Sequence, residues 1–171
     1  MRVESLGRRT FTACLVAVAL ASGASADGRL FGDWVRSEAV LDVSPPIATG
    51  DVDGDGRDEV VAVENFDRGA RVRIYGGQPD GSLVSQTTLF VDAFTPTKRT
   101  LVAELDGSLG LDLLLSGDRS NSGVVALLPG DGAGGFGPAS IIEVGGLVTR
   151  FIEGGDVDGD GDTDVVLTLV D

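Results

Sequence analysis

Apolar residues in this chain come in short runs broken by Gly- and Asp-rich turns, with the period of strands. Residues 47–50 lead into a turn in which Asp and Gly alternate, and residues 60–64 leave it as a β-branched run. Residues 71–75 alternate charged and apolar side chains, as a half-buried strand does, and residues 83–90 follow the next turn. The same four-part arrangement returns at residues 101–103, 113–115, 124–128 and 140–144. No stretch carries a helical period. The pattern predicts an all-β chain.

The acidic turns form a repeat. Asp51-Val-Asp-Gly-Asp-Gly-Arg-Asp-Glu59 precedes Val60-Val61, and Asp156-Val-Asp-Gly-Asp-Gly-Asp-Thr-Asp164 precedes Val165-Val166. A weaker copy, Glu104-Leu-Asp-Gly-Ser-Leu-Gly-Leu-Asp112, lies between them, and the three starts are 53 and 52 residues apart. A second marker, an apolar residue beside a Gly-rich turn, falls at Phe31, Leu83 and Phe136, with spacings of 52 and 53. Two markers in register at this period indicate a solenoid or propeller. Four strands per period fit a propeller blade better than a one-strand coil. The predicted fold is therefore β-propeller-type blades, each a four-stranded antiparallel sheet. They form an incomplete propeller of about three blades, with repeats near 31–83, 84–136 and 137–171.

Composition narrows the chemistry. The 171 residues are 42% hydrophobic with 26 Gly, so a packed core with many tight turns is expected. Lys and Arg number 13 against 27 Asp and Glu, a formal charge of −14, which repels nucleic-acid phosphates and anionic lipid and attracts cations. Histidine is absent, excluding imidazole acid–base chemistry, Ser-His-Asp triads and His-ligated zinc.

Residues 1–26 read as an export signal: Arg2, Arg8 and Arg9, an apolar run over residues 11–21, then Ala24-Ser25-Ala26. Arg8-Arg9-Thr10-Phe11 resembles a twin-arginine signal, and the export route stays open. Cleavage after Ala26 leaves residues 27–171 as a secreted or periplasmic chain without a membrane span. Cys14, the single cysteine, leaves with the signal, so no disulfide is expected.

Asp at loop positions 1, 3 and 5, Gly at 6 and a carboxylate at 9 suit a hard cation, since alternate side chains of a tight turn point inward and a position-7 carbonyl adds a further oxygen. Calcium takes oxygen ligands at about 2.3–2.6 Å in irregular geometry. Carboxylates about 5 Å apart repel by about 3 kcal/mol at an effective dielectric of 20, so a cation is expected to hold the turn. An EF-hand needs Glu at position 12, where Ala62, Leu115 and Leu167 stand. The middle copy, with Ser108 at position 5 and Leu109 at position 6, is either a weak site or a metal-free turn.

These segments resemble FG-GAP and VCBS repeats, the propeller blades of integrin α-subunits and of many secreted bacterial proteins. The resemblance rests on DVDGDGRDEVV and DVDGDGDTDVV with the Gly-rich turns. It implies calcium ligands at Asp51, Asp53, Asp55, Arg57 (carbonyl) and Glu59, and at Asp156, Asp158, Asp160, Asp162 (carbonyl) and Asp164. Such propellers close with about seven blades, so a fragment of a longer protein, or less favourably a ring-forming protomer, is expected.

The expected function is a secreted, calcium-binding, non-catalytic scaffold for adhesion or interaction with a glycan or protein. The alternative is an accessory or catalytic propeller of a polysaccharide-degrading lyase or hydrolase, with Glu143, Glu153 and Lys98 as candidates. Trp34 and Tyr75 have rings that can stack on a sugar, although a single aromatic on a strand is ordinarily core.

Overall fold

The computed structural model describes residues 13–19, 34–42, 46–66, 69–92, 97–108, 110–120, 122–145 and 148–170, the first two stretches as backbone only. Among them are twelve strands and no helix, hence none long and apolar enough to cross a membrane. Strands β1 (Ala13–Ala19) and β2 (Trp34–Asp42) pair antiparallel as a ribbon. Strands β3 (Ile47–Gly50), β4 (Glu59–Phe66), β5 (Gly69–Gly77) and β6 (Leu83–Val91) form a four-stranded antiparallel meander in chain order. Strands β7 (Thr97–Ala103), β8 (Asp112–Arg119), β9 (Ser122–Leu128) and β10 (Ser140–Glu143) form a second. Strands β11 (Val148–Gly155) and β12 (Asp164–Val170) pair as an antiparallel ribbon. All eight strands expected from the two full periods are present.

Alternation along the strands assigns the faces. Val61 and Val63 of β4 with Val72 and Ile74 of β5 turn toward the second sheet, where Leu113, Leu115, Val124, Ala126 and Leu128 meet them. The opposite face of the second sheet offers Leu114 and Val125, which pack on Ile152 of β11, with Leu101, Leu127 and Leu167 at the border. The second sheet thus lies between two apolar layers. This explains why β8 reads as an unbroken Leu113-Leu114-Leu115 run: a strand covered on both faces needs apolar residues at successive positions.

Polar latches join the same layers. Asn65 Nδ2 donates to the Thr97 carbonyl at 3.0 Å, and the Thr97 N–H donates back to Asn65 Oδ1 at 2.7 Å. One repeat later the Thr149 N–H donates to Asp118 Oδ1 at 3.3 Å, and Thr149 Oγ1 donates to the Gly117 carbonyl at 3.0 Å. Thr97 and Thr149 are both buried, so these bonds satisfy groups that water does not reach.

Leu115 is fully buried in the layer between the two four-stranded sheets. Leu115→Ala is expected to lower the unfolding free energy by about 2–5 kcal/mol, measured by urea denaturation.

Candidate metal centre

Each acidic loop connects the first two strands of its sheet: β3 to β4, β7 to β8, and β11 to β12. The backbone can curl this tightly because Gly stands at position 4 of every loop, with left-handed φ of 75° at Gly54, 76° at Gly107 and 85° at Gly159. The two complete loops repeat the device at position 6, with φ of 86° at Gly56 and 96° at Gly161.

Carboxylates then capture the N–H groups that the curl leaves without strand partners. At position 1, Asp51 Oδ2 accepts from the Gly56 N–H at 3.0 Å and Asp156 Oδ2 from the Gly161 N–H at 3.1 Å. At position 3, Asp53, Asp106 and Asp158 each accept from the N–H two residues on, at 2.9–3.1 Å. At position 5, Asp55 and Asp160 do the same at 2.9 Å. Position 9 reaches back instead. Glu59 accepts from the Val52 N–H at 3.1 Å, Asp112 from the Leu105 N–H at 2.8 Å, and Asp164 from the Val157 N–H at 2.9 Å. This last bond ties the start of the loop to the first residue of the following strand in all three copies.

Wrapping in this way brings positions 1, 3 and 9 together. Asp51, Asp53 and Glu59 each offer a carboxylate oxygen within 4.8 Å of the others, and so do Asp156, Asp158 and Asp164. The middle copy converges equally, through Glu104, Asp106 and Asp112. Oxygens about 2.4 Å from one calcium ion lie no more than about 4.8 Å apart, so each triplet fits a single centre. The convergence does not need position 5, which is why Ser108 leaves the middle loop intact. The converging set excludes Asp55, whose carboxylate is exposed and paired with the Arg57 guanidinium. That side-chain hydrogen bond holds the Asp55 carboxyl below the usual carboxylate range. Asp160 and Asp162 likewise stand outside the third triplet, exposed.

The first loop is the most enclosed. Glu59 is 2% exposed, and burial pushes its carboxyl pKa up, assisted by the charge of Asp53. Asp51 Oδ1 is buried and receives no hydrogen bond, a cost that a cation at this point would remove. An oxygen-only donor set with one orphaned oxygen suits a hard cation and no thiophilic metal. The Gly-rich turn of the second sheet covers this loop, its Gly134 N–H donating to the Val52 carbonyl at 3.0 Å. Val52 is accordingly buried, whereas Val157 at the same position of the third loop is 70% exposed. The turn is itself braced by Asp131, whose Oδ1 accepts from the Ala133 and Gly135 N–H groups at 2.9 Å. Those two bonds lower its carboxyl pKa.

Sequence reading did not anticipate the position 9 to position 2 bond or the role of Asp131. The apolar residue shared by Val52, Leu105 and Val157 was the available signal for the first.

The residues weighed for catalysis are not assembled into a site. Lys98 pairs with Asp118, while Glu143 on β10 and Glu153 on β11 are exposed and join none of the acidic triplets. Tyr75 is 7% exposed within the first sheet, a core position and not a sugar platform. The Trp34 side chain, Phe31, Leu109 and the export-signal residues 1–12 and 20–26 lie outside the described residues. Comparison of the sequence with protein-family models and with curated proteins gives no match to either.

The raised Glu59 pKa means that its contribution to stability is full below the ordinary carboxylate pKa and is lost as pH rises through the folded value. In chelator at about pH 7, Glu59→Gln is therefore expected to melt above the parent chain, with the gap closing as pH falls toward about 4. Thermal melts across that range check the sign.

Proposed function

We propose that the chain is a secreted calcium-binding module built from propeller-type blades of the FG-GAP and VCBS kind. It acts as a non-catalytic scaffold that presents its surface to a glycan or a protein. The observation that carries this reading is the convergence of positions 1, 3 and 9 in three successive loops, each closed by the same backbone bond. A turn repeated three times with its carboxylates directed at one centre is costly without a cation and useful with one. Arg2, Arg8 and Arg9, the apolar run and Ala24-Ser25-Ala26 support export. Extracellular calcium is abundant enough to occupy such loops.

The ion's task in this reading is mechanical. Glu59, Asp112 and Asp164 are the first residues of β4, β8 and β12, so a cation bound at position 9 fixes where the second strand of each sheet begins. In the first loop it does more, because Val52 and the Gly134 turn join that loop to the neighbouring sheet. With affinities of about 10⁻⁴–10⁻³ M and about 1 mM calcium, each ion adds about 0.4–1.4 kcal/mol.

Calcium at about 1 mM is expected to raise the melting temperature by about 1–6 °C per occupied loop. Asp53→Ala and Asp158→Ala should each remove part of that rise, as read by calorimetry in calcium and in chelator. An unchanged rise in both variants contradicts the ligand assignment. On a glycan array, retention that disappears in chelator is the expected result. Release of reducing ends from a polysaccharide panel contradicts the non-catalytic reading.

A further inference from the structure

The first and middle acidic loops are joined by a continuous chain of hydrogen bonds. In the first loop the Val52 N–H donates to Glu59 Oε2 at 3.1 Å, and the Val52 carbonyl accepts from the Gly134 N–H at 3.0 Å. Gly134 belongs to the turn that follows β9, closed by the Gly130↔Phe136 bridge and by the Asp131 N–H to Gly135 carbonyl bond at 3.1 Å. At the start of that turn the Gly130 N–H donates to Asp112 Oδ1 at 2.8 Å, while Asp112 Oδ2 accepts from the Leu105 N–H at 2.8 Å. The turn therefore holds the position 9 carboxylate of the middle loop with one amide and the position 2 carbonyl of the first loop with another. Val52 and Glu59 are 2% exposed and Asp112 is fully buried, so these bonds meet little competition from water. Contact is close: a Cβ on Gly134, whose φ is 83°, would lie 3.3 Å from Asp53 Cβ, and one on Gly110 would lie 2.5 Å from the Gly132 nitrogen. Asp131 braces the turn from within, through the Ala133 and Gly135 N–H groups.

We propose that this turn couples the two loops, so that closing either one prepares the other, and that Asp131 is the positioning residue on which the coupling depends. The proposal deepens the calcium reading and rests on it for the ion's part. Closure of the first loop sets the Val52 carbonyl where the Gly134 N–H can reach it, which orders the turn and aims the Gly130 N–H at Asp112. The ordering cost is then met once for both loops, and by linkage the effect is reciprocal. Direct repulsion between the loops is the lesser effect, because Asp51 and Glu104 line an open cleft of about 460 Å³ in which solvent screens them. The middle loop gains most. With Ser108 at position 5 it converges only three carboxylates, and the shared turn lets it fill alongside the complete first loop.

Native-state hydrogen exchange of the full chain, read by NMR in chelator, tests the coupling without any ion. The Val52, Leu105, Gly130 and Gly134 amides are expected to exchange through one shared opening with a common dependence on denaturant, and the Val157 amide of the third loop through another. Asp131→Ala should speed exchange at Val52 and Leu105 by about fivefold or more, although their amides donate to Glu59 and Asp112 and not to the turn, and should leave Val157 unchanged. Asp131→Asn, which keeps an oxygen for the Ala133 and Gly135 N–H groups, should restore the parent rates. A purely local brace would move only the amides of residues 130–136. In a calcium titration, Asp106→Asn keeps the acceptor for the Ser108 N–H but weakens the middle loop, and should raise the calcium needed to half-protect Val52 by about fivefold. Separate openings for Val52 and Leu105 in the parent chain overturn the proposal, as does one opening that includes Val157. An Asp131→Ala effect confined to the turn, or a Val52 midpoint indifferent to Asp106→Asn, also overturns it. If Asp131→Ala fails to fold, the parent-chain exchange and Asp106→Asn still decide. Calcium that protects no amide in any loop contradicts the metal reading instead, and the exchange in chelator then decides the coupling alone.

Discussion

Three carboxylate oxygens held within 4.8 Å of one another, in each of three turns, are the constraint from which the rest of the structure follows. Like charges at that distance repel by about 3 kcal/mol per pair at an effective dielectric of 20. The turns close because each carboxylate also accepts backbone N–H bonds that the tight curl leaves without strand partners. Closure fixes the first residue of the next strand, since the position 9 carboxylate both completes the turn and begins β4, β8 or β12. Loop chemistry and strand register are therefore one feature. Moving Glu59 by a single position would turn the Val60–Val63 run over and take Val61 and Val63 out of the core shared with the second sheet.

Stacking of successive sheets follows from the same repeat. Each sheet gives one apolar face to its neighbour, and the second sheet, with neighbours on both sides, carries successive apolar residues at Leu113–Leu115 of β8. The Asn65–Thr97 and Asp118–Thr149 latches recur at the repeat period and hold adjacent layers at their ends away from the acidic loops. The loop ends are held differently, by the Gly134 to Val52 bond and the Asp131 turn. The first and second sheets are thus held together at both ends across a buried apolar core.

Much of this was legible in the sequence because local signals and the repeat agreed. Short apolar runs placed eight strands, and the Asp-Gly alternation placed the loops between the first and second strand of each sheet. What escaped involved choices that spacing alone does not make. Asp55 looked equivalent to Asp53, yet position 5 stands outside the converging set in both complete loops, at Asp55 beside the Arg57 guanidinium and at Asp160 without one. Ser108 left the middle loop open between a weak site and a metal-free turn, and position 5 is not needed to bring Glu104, Asp106 and Asp112 together. The Asn65–Thr97 latch joins residues 32 apart through a backbone carbonyl and N–H, which carry no sequence signature.

The central claim is that these converging oxygens hold divalent ions. Equilibrium dialysis of the folded, desalted chain against millimolar calcium, followed by elemental analysis, counts the ions directly. Two to three calcium ions per chain is the predicted result, one for each complete loop and up to one more for the middle loop. A folded chain that retains none contradicts the account.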